Sequence, residues 1–137
     1  MRRLRFLLRF IGVAQGALGV LFVLAPTSAA TLFDLHPSEP GWVDWLFVTM
    51  GARYLGYAYG MFVAAADPLR NRSWIDSMIV IQALDWVGTL VFLATGDVSL
   101  RNVTSAAFLP VIFVAGLLWW HPRRWASARP SHGATEG

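Results

Sequence analysis

The sequence predicts an all-α polytopic membrane protein, a four-helix bundle with both termini cytoplasmic. Three observations carry that expectation. Four long apolar runs follow one another along the 137-residue chain, at about 6–24, 42–66, 74–94 and 103–120. Charged residues make up 14% of the chain and hydrophobic ones 56%, where an average soluble domain carries about 25% charged. The arginines gather before the first run, between the second and third, and after the fourth, an asymmetry that orients membrane helices.

A spanning helix needs about 20 mostly apolar residues, so the second and third runs are comfortable and the first and fourth sit near the short limit. Hydrocarbon offers the backbone no partner, so such runs must be helices. The first follows a basic start, "MRRLRFLLRF", and places Gln15 on one face with Gly12, Gly16 and Gly19. A rival reading makes it a cleaved signal peptide, with Ser28 and Ala30 of "TSAA" as the small residues at the cleavage site. The glutamine and glycines suit a packed helix better. Pro26, Pro37 and Pro40 break the chain after it, Asp67-Pro68 opens the second connection, and Gly96-Asp97 opens the third. The fourth run carries Pro110 and Gly116 with no polar face, so it is expected at the periphery or against another protomer. Residues 1–120 thus form one transmembrane domain. Residues 121–137 read as a basic juxtamembrane segment and a disordered cytoplasmic tail.

All eleven basic residues are arginine, a codon bias that points to a GC-rich bacterial genome and so to a multi-pass protein of the bacterial inner membrane. Arg2, Arg3, Arg5 and Arg9 precede the first span, Arg70 and Arg72 lie in the second connection, and Arg123, Arg124 and Arg129 follow the last. These regions share one side in a four-span arrangement, which places both termini inside. Trp42 and Trp45 then mark the outer interface, and Trp74, Trp119, Trp120 and Trp125 the inner one.

The stretch "MGARYLGYAYG" at 50–60 sets Arg53 inside an apolar run. Folding the second and third runs about Leu69 brings Arg53 level with Asp85, each sixteen residues from the turn and near the bilayer centre at about 1.5 Å per residue. A lone charge at that depth costs at least about 3 kcal/mol, so an ion pair between antiparallel neighbours is expected. A guanidinium can hold a carboxylate through two parallel hydrogen bonds, which also fixes helix rotation. At about 100° per residue, Thr49, Ala52, Arg53, Gly56, Gly60 and Ala64 share a side of the second helix, with Tyr57 at its margin. Ser77, Gln82, Asp85, Gly88 and Thr89 share a side of the third. The expected buried polar centre is therefore Arg53, Asp85, Gln15, Gln82, Tyr57 and Thr89, read either as a self-satisfied packing network or as a ligand site. Tyr54, Tyr57 and Tyr59 could line a pocket for an aromatic molecule or serve as packing residues with one wet hydroxyl. "GVAQG" and "GYAYG" space Gly12 from Gly16 and Gly56 from Gly60 for close helix packing, within the chain or between copies.

With no cysteine, disulfides, thiolate metal sites and thiol redox chemistry are excluded. Asp34, His36, Glu39 and Asp44 form a solvated acidic loop, since one histidine with scattered carboxylates is a weak metal pattern. His36, His121 and His132 lie outside or at the edge of the spans, which leaves no buried axial pair for haem. No nucleophile with a partner base, phosphate loop or nucleotide fingerprint appears. No catalytic residue, cofactor, metal or nucleic-acid partner is expected, and the expected surroundings are the lipid bilayer with a homo-oligomer or larger membrane complex.

"GARYLGYAYG" followed by "ADPLRNRSWIDSMIVIQALDWVGTLVFLATG" resembles the BphX-like family of small four-helix bacterial membrane proteins, and more distantly DoxX-like proteins. Arg53, Leu55, Gly56 and the "QALD" of Gln82 to Asp85 carry the likeness, over approximately residues 5–120. It implies an uncharacterised membrane protein and supplies no catalytic residue. Two function classes stay open. One is a non-enzymatic accessory or scaffold protein with a structural Arg53–Asp85 pair. The other is a small oligomeric carrier or channel for an anionic or aromatic solute, with a quinone-binding oxidoreductase subunit as a weaker third reading.

Overall fold

The structure, a computed structural model, describes residues 1–32, 42–96 and 100–122. Among them are five helices and no strand: α1 (Arg2–Leu24), α2 (Pro26–Leu32), α3 (Trp42–Ala66), α4 (Arg72–Thr95) and α5 (Leu100–Trp119). The four long helices cover the four apolar runs. Helix α2 was not expected. Pro26 ends α1, where the Ala25 N–H reaches back to the Leu21 carbonyl, and then serves as the first residue of α2, a position where no N–H is needed. Ala29 and Ala30 of this short helix are buried against Phe22 and Phe47.

Helices α1 and α3 make the largest interface, and α4 with α5 the next. Along α1 the buried positions Leu4, Leu8, Ile11, Gln15, Gly19 and Phe22 recur every three or four residues. Along α3 the matching seam is Phe47, Gly51, Tyr54, Ala58, Met61 and Ala65, of which Tyr54 is half-buried. Steps of three and four keep both stripes facing each other over several turns. Glycine sets how closely they approach. A Cβ on Gly51 would lie 2.9 Å from the Gly19 carbonyl oxygen, and one on Gly19 would lie 2.8 Å from Leu55 Cγ. Gly12 and Gly16 of the expected packing set line this interface too, against Phe62 and Ala58. Gly60 receives the ring of Trp74 from α4. Gly56 packs against no other helix of this chain: a Cβ there would meet nothing within 4 Å among the described residues, because α3 turns its 47–65 seam to α1 and leaves Ala52, Arg53 and Gly56 exposed.

The α3–α4 connection closes on itself. Asn71 Nδ2 donates to the carbonyls of Asp67 (3.0 Å) and Val63 (3.4 Å), the Arg70 N–H donates to Asp67 Oδ1 (3.2 Å), and Pro68 is buried. At the far end of α4, Gly96 takes a left-handed conformation (φ 82°) and sends its N–H back to Leu93, the usual glycine cap of a helix C-terminus. Helices α3 and α4 nevertheless touch sparsely.

One apolar cluster joins all four long helices near a single end: Leu4 and Leu8 from the start of α1, Met61 and Ala65 from the end of α3, Ile75 and Met78 from the start of α4, and Leu117 from the end of α5. The chain therefore alternates in direction, and α1 starts where α5 finishes. Helix α5 is not peripheral, since Phe113 and Leu117 belong to this cluster and Gly116 rests on Leu7. The buried residues of α4, Ile75, Met78 and Gln82, all lie in its first half.

Helices α1 and α4 are long and apolar enough to cross a membrane, by length and composition among the described residues. Helix α3 has the length, at 25 residues, but Arg53, three tyrosines and three glycines dilute a run that looked comfortable from its extent alone. The described apolar part of α5, Phe108–Trp119, is shorter.

Candidate functional site: a polar cavity between the helix pairs

The sparse contact between α3 and α4 leaves a space, and the helices fill its walls with side chains set by their own periodicity. A cavity of about 290 Å³ lies between the α1–α3 pair and the α4–α5 pair. Its polar wall is Gln15 from α1, Tyr54 from α3 and Gln82, Asp85 and Thr89 from α4. The last three share a face because they step by three and four residues. Phe22, Phe113 and Pro110 supply much of the apolar wall. A smaller lobe of about 140 Å³, lined by Arg53, Tyr57 and Ile81, shares Met50, Tyr54 and Asp85 with the first.

Each expected site residue has a definite place. Gln15, Gln82, Asp85 and Thr89 meet around the main lobe, whereas Arg53 and Tyr57 border only the smaller one. Arg53 and Asp85 thus face a common space, but no ion pair joins them among the described residues. Arg53 lies on the exposed side of α3, rotated away from its seam with α1, and the narrow α3–α4 contact does not draw the two helices together.

The hydrogen bonding of the main lobe is incomplete. Gln15 is 5% exposed, and its Oε1 has no hydrogen-bond partner among the described residues. A buried acceptor left unpaired costs about 1–3 kcal/mol. Among the described residues Gln82 Nε2 makes only a long contact to Met78 Sδ, at 3.7 Å. Thr89 Oγ1 donates to the Asp85 carbonyl at 2.8 Å, which spends its one proton inside the helix and leaves lone pairs outward. The wall offers an occupant donors as well as acceptors: the amide N–H groups of Gln15 and Gln82 and the Tyr54 hydroxyl can donate, and Asp85 and the Thr89 lone pairs accept.

Of the three tyrosines that could line a pocket, the structure separates Tyr54 from Tyr59, and it adds a contact that the sequence did not announce. Tyr54 touches both lobes and stacks edge-on to Phe22 (ring centroids 5.5 Å apart) and Tyr57 (6.5 Å), whereas Tyr59 is exposed. The signal was present, because Tyr54 falls on the three-and-four seam of α3 and Tyr59 does not. His121, expected at the edge of the spans as the first residue of a basic juxtamembrane segment, is buried, and its Nε2 lies 2.8 Å from Asp76 Oδ1 on α4. Arg72 adds to this cluster from one turn earlier, 3.8 Å from Asp76 Oδ2. Nothing in the spacing of residues 76 and 121 announces that contact.

No group of three metal-ligating side chains occurs among the described residues. Asp34, His36, Glu39 and His132 lie outside them. Comparison of the chain with known proteins finds no matching family model, no matching curated protein and no matching solved structure.

Proposed function

We propose that the chain is a small integral protein of the bacterial inner membrane, crossing four times as a helical bundle with both termini cytoplasmic, that holds a small solute in the cavity between its helix pairs. One observation carries the membrane part of this reading: α4 turns a long apolar face outward. Val80, Leu84, Val87, Leu90, Val91 and Phe92 of α4 are all exposed, while Gln15 and Gln82 are buried. A water-soluble chain of this size rarely shows so long an apolar face, and lipid is the solvent that suits it. The orientation is supported by Arg2, Arg3, Arg5, Arg70 and Arg72, exposed at the end where the four helices cluster. Retention of α1 is supported by its share of the core through Leu4, Leu8 and Ile11. Membership in the BphX-like family is the lineage that accompanies this reading.

The chain lacks native cysteine, which gives a direct test. In membrane vesicles, Thr89→Cys is expected to react with a small methanethiosulfonate, and adding Gln15→Trp to fill the cavity is expected to slow that reaction about tenfold. A Thr89→Cys variant that stays unreactive while the protein is folded excludes a solute-accessible cavity.

An accessory or scaffold role is the second reading. It is favoured by an almost wholly apolar groove of about 320 Å³ between α4 and α5, walled by Trp86, Val111, Val114 and Leu118, which a partner helix, a second copy or an acyl chain would fit.

A further inference from the structure

We propose that the main lobe of the cavity is a site for a small organic ammonium ion with a single-ring or similarly compact apolar body. The inference rests on the solute-binding reading above and assigns the chemistry of the solute.

The charge of the occupant follows from what the wall offers. Asp85 presents a carboxylate, and Thr89 has already given its proton to the backbone of its own helix. These two present acceptor lone pairs, whereas Gln15, Gln82 and Tyr54 are neutral groups that can donate as well as accept. No arginine, lysine or histidine lines this lobe among the described residues, and Arg53 borders only the smaller lobe without pairing to Asp85. An anion entering here would face the like charge of the Asp85 carboxylate, with only the neutral donors of Gln15, Gln82 and Tyr54 to offset it. An ammonium group would donate to Asp85, and that charge-assisted bond is stronger than a neutral one.

The aromatic wall is consistent with the same sign. Phe22, Tyr54 and Phe113 surround the polar patch, with Phe22 and Tyr54 packed edge to face at 73°. Ring faces carry negative potential and attract organic cations, more strongly where water is excluded. A bare metal ion is a poor fit, because calcium takes six to eight oxygen ligands and magnesium about six, and this lobe offers one carboxylate and a few neutral oxygens among apolar side chains. Size sets the upper bound. A volume of about 290 Å³ lies at the small end of ligand pockets, which run from about 300 to 1,000 Å³, so one ring with a short amine arm fits and a polycyclic body does not.

The test is calorimetric titration of the full chain in dodecyl maltoside micelles, with empty micelles as the partition control. Phenethylammonium, phenethyl alcohol and phenylacetate share one ring and differ in head-group charge. The ammonium ion is expected to bind about tenfold or more tightly than the alcohol, and phenylacetate to bind worst. Asp85→Asn is expected to weaken ammonium binding by about tenfold or more and to leave the alcohol nearly unchanged. Gln15→Leu, a change away from any charge, is expected to weaken both, with the melting temperature of each variant recorded to show that it is folded. Phenylacetate or the alcohol binding as well as the ammonium ion overturns the assignment of charge and leaves the solute-binding reading standing. Failure of all three compounds to bind the folded wild-type chain overturns both. If Asp85→Asn does not fold, the ranking on the wild-type chain and the Gln15→Leu result decide alone.

Discussion

At the scale of single residues, glycine is where local cost and packing gain separate most clearly. A glycine inside a helix is worse than alanine by about 0.5–1 kcal/mol unless its missing side chain is used. At Gly60 it is used, because the Trp74 ring occupies the space a Cβ would need. At Gly56 it is not. Gly60→Ala is therefore expected to lower stability in detergent by about 1–3 kcal/mol, and Gly56→Ala to raise it by about 0.5–1 kcal/mol, a difference in sign that thermal unfolding of the two variants would read. The two look alike in "GYAYG", since spacing reports that both share a helix face and is silent on which turn meets a neighbour. Arg53 and Asp85 carry a second expectation at this scale. With no contact ion pair between them, the stability changes of Arg53→Leu and Asp85→Leu should add in the double variant to within about 0.5 kcal/mol. Recovery of stability in the double variant beyond that margin would restore the pair as a packing element.

At the scale of elements, the long helices were legible because an apolar run of helical length carries its own evidence. What the runs did not disclose was pairing. Equal depth of Arg53 and Asp85 follows from a short turn, yet contact also depends on helix rotation, and α3 spends its small-residue seam on α1. Helix α2 was hidden because Pro26 was read as a breaker alone, when proline also begins helices well. The α4–α5 pair is clamped where α4 begins and α5 ends, by buried His121 against Asp76. Arg72 adds an exposed partner one turn away, and such surface pairs contribute about 0–1 kcal/mol. His121→Ala removes the 2.8 Å contact to Asp76 and opens a buried site, so it is expected to cost about 1–3 kcal/mol, clearly more than Arg72→Ala. Comparable losses from the two, measured by unfolding in detergent, would mean that the histidine contact is not the clamp.

At the scale of the whole molecule, the polar residues picked out by helical spacing are mostly the ones that surround the cavity, while the cavity itself was not foreseeable, because an empty volume is a property of how helices fail to meet. A single cysteine can map the sidedness that the arginines suggest. In inverted inner-membrane vesicles, Leu69→Cys is expected to react with an impermeant maleimide and Thr95→Cys to be protected, with the pattern reversed in right-side-out spheroplasts. Equal labelling of both in one preparation would remove the alternating path across the bilayer. The last consequence comes from the one-sided clustering of the core. All four long helices are gripped where Leu4, Met61, Ile75 and Leu117 meet, whereas beyond Gln82 the second half of α4 has no buried residue. Between the α1–α3 pair and the α4–α5 pair the molecule is built like a clothes-peg, held at one end, while at the other the buried cluster of Phe22 and Phe47 belongs to the α1–α3 side alone among the described residues. In a bilayer the jaws would feel lateral pressure from the surrounding acyl chains, so the room available to a guest becomes a quantity that the lipid, as well as the protein, sets.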